Sequence, residues 1–81
     1  MTSLTKDEFR AYVAGEMGRE PTTIPFDATL RDDVGLDSIE MFLLLIAIED
    51  LGVWFPEEML AQVVTLDDAY HHFATQSGHS S

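Results

Sequence analysis

The residues best placed to do chemistry are Asp37-Ser38-Ile39-Glu40, which stand directly before the apolar run Met41 to Ile48. Asp37 can act as an N-cap, its carboxylate accepting from the backbone N–H groups two or three residues on. Glu40 follows at the position from which a side chain reaches back to the cap, so the four residues read as a variant capping box. Gly35 supplies the turn before them. Ser38 then falls at the first helical position, with its hydroxyl exposed where backbone N–H groups and the helix dipole favour an anion or an attached phosphate. The bland alternative is a serine that merely starts a helix, and for a single serine judged on physics alone that is the commoner case.

Two other chemistries fail on spacing. A hydrolase nucleophile would need the Gly-x-Ser-x-Gly elbow, and Leu36-Asp37-Ser38-Ile39-Glu40 has neither glycine. The histidines, His71, His72 and His79, fall in the last helical segment and the tail, with no pattern bringing one to Ser38. As neighbours His71 and His72 cannot share one helical face, and both are expected at the surface. A calcium loop needs oxygen ligands at its first, third and fifth positions, glycine at the sixth and glutamate at the twelfth. Counted from Asp27 the fifth position is Arg31; counted from Asp32 it is Leu36 and the sixth is Asp37. No metal site is expected.

The wider stretch Leu30-Arg31-Asp32-Asp33-Val34-Gly35-Leu36-Asp37-Ser38-Ile39-Glu40 resembles the modification-site signature of acyl carrier proteins, and the likeness extends roughly from Thr5 to Phe73. The resemblance implies that Ser38 carries a 4'-phosphopantetheine arm from coenzyme A through a phosphodiester. A phosphopantetheinyl transferase would attach it, and the chain itself would not be an enzyme. The arm would supply the thiol and carry acyl groups as thioesters. Partners implied are an acyltransferase or adenylating enzyme and a ketosynthase or other acyl-processing enzyme with a basic docking surface. Asp37 before the serine looks more like the acyl than the peptidyl branch, which often reads Gly-Gly-x-Ser-Leu. A discrete chain of this length fits type II fatty acid or polyketide synthesis. Leu43, where many fatty acid carriers place an acid, points to polyketide or related secondary metabolism. Alternatives are a carrier of fatty, aminoacyl or D-alanyl groups, or an unmodified acidic helical adaptor.

Bulk properties bound these readings. The chain has 81 residues, enough for one small domain, with an ordered core expected over about 5–75 and a flexible polar tail over 76–81. Fifteen acids against 4 bases give a formal net charge of −11. That opposes nucleic-acid binding and favours fast encounter with basic surfaces. A hydrophobic content of 46% means the acid coats a folded domain. There is no cysteine, so any thiol must come from a cofactor. No apolar run approaches the ~20 residues that span a bilayer. A cytoplasmic monomer is the expectation.

The elements that must position Ser38 follow in order. Thr5-Lys6-Asp7-Glu8 is a capping box, and Phe9, Tyr12, Val13 and Met17 share one helical face. This predicts a first helix from about Lys6 to Met17, weakened at its end by Gly15 and Gly18. Pro21 and Pro25 break the pattern. The scattered apolar residues Ile24, Phe26, Leu30, Val34 and Leu36 should pin a long loop to the core, and a loop near 20 residues is usually functional. A second helix is predicted from Ser38 to about Leu51, with Gly52 as its stop. With Ser38 at zero and about 100° per residue, Met41, Leu44, Leu45, Ala47, Ile48 and Leu51 cluster between about 180° and 340° and should be core. Ile39, Phe42, Leu43 and Ile46 share the polar side with Ser38, Glu49 and Asp50. That is an apolar patch where water is expected, and the resemblance makes it a partner-binding face with Asp37 at its edge.

Val53-Trp54-Phe55-Pro56-Glu57-Glu58 should start a short helix with Pro56 near its first position. Carriers that resemble this chain have one residue more before that proline. Thr65-Leu66-Asp67-Asp68 caps a last amphipathic helix carrying Leu66, Ala69, Tyr70 and Phe73. The predicted fold is all-α, a small four-helix bundle of three main helices and one short one.

Overall fold

The computed structural model describes residues 4–77, and the expected tail lies outside them except for Gln76 and Ser77. Among the described residues four α-helices form: α1 Lys6–Met17, α2 Ser38–Asp50, α3 Glu57–Leu60 and α4 Leu66–Ser77. Among the described residues only one isolated bridge, Thr29 to Thr65, has strand geometry. The predicted all-α bundle with a long first loop is therefore what this chain adopts.

Each main helix starts where its cap residues put it. The Thr5 hydroxyl accepts from the Glu8 N–H and Glu8 reaches back to the Thr5 N–H, satisfying two donors that the helix leaves open. Thr65 and Asp68 do the same for α4, with aspartate in place of the usual glutamate. Pro56 departs from expectation by one position. It stands as the N-cap of α3, extended at ψ 156°, and Glu57 opens the helix. The cap needs β-region backbone, which suits proline. α2 ends at Asp50 with Leu51 as C-cap, and Gly52 turns the chain at φ 92°, in the region that favours glycine.

The long loop is ordered by its own hydrogen bonds. Pro21–Thr23 makes a 3₁₀ turn, and Leu30–Val34 makes a wider turn in which the Val34 N–H donates to the Thr29 carbonyl. Thr29 and Asp33 cap each other across it. Gly35 ends the turn at φ 86°. The loop is then tied to the α3–α4 junction: the Leu30 N–H donates to the Val64 carbonyl at 2.8 Å, and the Asp67 N–H to the Phe26 carbonyl at 3.0 Å. Ile24, Leu30 and Leu36 are buried, and Phe26 and Val34 pack partly against the core, as their irregular spacing implied.

The core joins Phe9, Val13, Ala14 and Met17 of α1 to Met41, Leu44, Leu45, Ala47 and Ile48 of α2 and to Leu66, Ala69 and Phe73 of α4. Phe9 sits at its centre, its ring 5.1 Å from Phe73 and 5.3 Å edge-on from Tyr70. The Tyr70 hydroxyl donates to the Leu4 carbonyl, holding the chain entry onto α4. Leu51, expected in the core, is half-buried because it lies at the helix end. Of the two histidines expected at the surface, His71 is exposed, but His72 is half-buried with its ring edge-on to Phe55 at 5.0 Å. The cause is the Val53 to Phe55 segment, which runs beneath α4.

Candidate functional site

Ser38 opens α2 and its side chain is exposed. The capping box read from the sequence is complete. Asp37 Oδ1 accepts from the Glu40 N–H at 2.8 Å, and Glu40 Oε1 accepts from the Asp37 N–H at 3.3 Å. That leaves the N–H groups of Ser38 and Ile39 without a protein acceptor among the described residues, facing solvent at the positive end of the dipole. The Ser38 hydroxyl likewise makes no hydrogen bond there. An exposed, unengaged hydroxyl beside two free donors fits a covalently attached phosphate. The Asp37 carboxylate opposes such a group, but it is exposed, and solvent screens the repulsion.

Sequence reasoning missed what holds this helix end in place. Arg19, just past the end of α1, donates from Nε to Glu40 Oε2 at 2.7 Å and from Nη2 to Oε1 at 3.1 Å. The pair is two-pronged and only about a quarter exposed, with side chains 28% and 21% accessible. The guanidinium bonds hold the Glu40 carboxyl below the usual carboxylate range, against the effect of its partial burial, and the same bonds push Arg19 up. So Glu40 caps α2 and also pins it to the end of α1, two residues from Ser38. The helical wheel carried a hint: Glu40 falls near 200°, on the core side, where a carboxylate needs a partner.

The face beside Ser38 divides by exposure. Ile39 is 72% and Phe42 49% exposed, while Leu43 and Ile46 are half-buried and pack against the core. Glu49 and Asp50 are exposed at the far end of α2. The Asp50 charge is felt nearby: desolvation first, then the carboxylates of Asp50 and Glu16, push the Tyr12 phenol up. His72 is occupied elsewhere, with Nε2 3.1 Å from the Trp54 carbonyl, and among the described residues no histidine pairs with Ser38. No helix among the described residues is long and apolar enough to cross a membrane.

Comparison with known proteins places this geometry. The phosphopantetheine attachment site family matches residues 7–73. The acyl carrier protein of Treponema pallidum is 37% identical over 62 residues, covering 75% of this chain and 80% of the relative. That of Zymomonas mobilis is 30% identical over 66 residues, covering 80% and 85%. That of Treponema denticola is 29% identical over 70 residues, covering 85% and 90%. The match runs from α1 into α4 and includes α2, α3 and the loop between α1 and α2, so most of the bundle, and not one short motif, is shared. On that breadth the chain belongs to the acyl carrier proteins, carriers rather than catalysts, whose cofactor is a covalently attached 4'-phosphopantetheine.

Proposed function

We propose that Ser38 bears the arm, and that Asp37, Ile39, Phe42, Leu43, Ile46, Glu49 and Asp50 form the face that partner enzymes grip. The observation that carries this reading is the exposed Ser38 hydroxyl at the first position of a doubly capped helix, beside free N–H donors. A phosphopantetheinyl transferase would remove the hydroxyl proton and let the serine oxygen displace the nucleotide part of coenzyme A from phosphorus. The arm, once attached, carries acyl groups as thioesters. The chain's own part is to hold that oxygen clear of the core and in a fixed orientation. Its acids steer basic enzymes in, and the exposed Ile39 and Phe42 then hold them close.

The pathway we favour is polyketide or related secondary-metabolite synthesis, supported by Leu43 standing where many fatty acid carriers place an acid. Fatty acid synthesis is the second reading, favoured by relatives named simply as acyl carrier proteins. In either, the protein acts as a cytoplasmic monomer. Incubation with a phosphopantetheinyl transferase and coenzyme A, followed by weighing the intact chain, separates a carrier from an unmodified adaptor. A carrier gains one phosphopantetheine, and an adaptor gains nothing. The cargo read by mass spectrometry from the native host then decides the pathway.

A further inference from the structure

The chain has one tryptophan, and it stands 70% exposed. Trp54 lies in the extended segment between α2 and α3. Its neighbours Val53 and Phe55 are both buried, and alternation along extended backbone turns the residue between them outward. His72 of α4 sets Nε2 3.1 Å from the Trp54 carbonyl and packs edge-on against Phe55. The indole is therefore presented on backbone that is already ordered, so little of its freedom remains to be lost on binding. Single exposed apolar residues are ordinary on a protein surface. A large aromatic held this way is of the kind that dominates binding energy at interfaces.

The charges around it limit what can cover it. Glu49 and Asp50 precede it and Glu57 and Glu58 follow, all four exposed. A second copy of this chain brings the same net −11, and nucleic acid or an anionic lipid surface is repelled as well. We propose that Trp54 is a second anchor for an acyl-processing enzyme that offers an apolar pocket rimmed by arginine or lysine. The identity of that partner class rests on the carrier reading above. Ser38 opens α2 and Trp54 follows the turn at its far end, with a 13-residue helix about 20 Å long between them. Contact at both ends would fix the enzyme's orientation along the helix, which contact around Ser38 alone would leave free to pivot.

The test uses the full chain labelled with 5-fluorotryptophan, which carries a single fluorine signal because Trp54 is the sole tryptophan. The unmodified chain is first titrated at low salt with an acyltransferase that loads malonyl groups onto carrier arms. The arm-bearing chain is then assayed as that enzyme's substrate. The signal is expected to shift or broaden as enzyme is added. Trp54→Ala should raise the KM for the carrier about tenfold with kcat within about twofold and the melting temperature unchanged, and Trp54→Phe should recover part of the loss. A still signal at enzyme concentrations that support turnover, or an unchanged KM in Trp54→Ala, overturns the proposal. So does a signal that moves with the chain's own concentration, which would assign the indole to self-association. A chain that takes no arm but whose signal responds to the enzyme keeps the anchor and loses the Ser38 reading. A chain that takes the arm while its signal stays still loses the anchor alone.

Discussion

Glu40 carries three demands at once: it closes the capping box, it accepts two bonds from Arg19, and it stands on the side of α2 that faces the core. Its carboxyl is held below the ordinary carboxylate range by Arg19, so folding favours the charged form. The sign follows directly. The stabilisation is fully present above the usual carboxylate pKa and is lost as pH falls through the lower, folded-state value. Glu40→Gln should therefore lower the melting temperature most at neutral pH, and the loss should shrink as pH falls from neutral through the ordinary glutamate pKa of about 4.3 and below, which flattens the acid limb. Thermal melts of both proteins across that range check it, and parallel acid limbs would contradict it. Arg19→Met removes the pin without touching the cap and should cost about 1 kcal/mol, given a partly exposed pair. Neither change alters the Ser38 hydroxyl, so modification should survive both at saturating enzyme.

At the scale of the element, α2 owes its place to its caps, and the side it leaves uncovered is the face proposed for partner enzymes. The wheel separated the two sides, and the buried set is Met41, Leu44, Leu45, Ala47 and Ile48. What the wheel did not resolve is the boundary: Leu43 and Ile46 sit beside Ser38 in angle yet pack partly against the core. The two kinds of position should part on mutation. Phe42→Ser should weaken partner turnover at a stability cost within about 1 kcal/mol. Leu43→Ser should cost clearly more, about 2 kcal/mol or above, for losing buried apolar surface and placing a hydroxyl there. Denaturant melts of the two variants decide this, and equal losses would show that the exposure difference has no energetic weight. Caps and periodicity were legible because both are local rules. The Arg19–Glu40 pair spans 21 positions, and the turn at Leu30–Val34 depends on bonds to its own loop and to the α3–α4 junction. Such contacts leave no periodic trace. The one-residue slip at Pro56 has a different origin, since proline suits the cap and the first helical position almost equally.

The whole molecule is an acidic shell on a small core. Lys6, Arg10 and Arg19, three of its 4 bases, are already paired with carboxylates, so most of the negative charge has no internal partner. Self-repulsion should then be a large term, and the melting temperature at neutral pH should rise between low and moderate salt, and further with divalent cations. A melting temperature indifferent to ionic strength would show that the carboxylates are spread too widely to interact. Family, fold and helix positions were readable from the signature around Ser38 and from the caps. The role of Trp54 was not, because its exposure is set by the burial of Val53 and Phe55 on either side. The central claim is that this bundle exists to hold one hydroxyl at the mouth of α2. Its most direct test is the intact mass of wild type and Ser38→Ala after incubation with coenzyme A and a phosphopantetheinyl transferase, with fragmentation to locate the added group. One phosphopantetheine on Ser38 is expected in the wild type, and an unchanged mass in a folded Ser38→Ala protein. An added phosphopantetheine in the alanine variant, or one found on another residue, contradicts the claim.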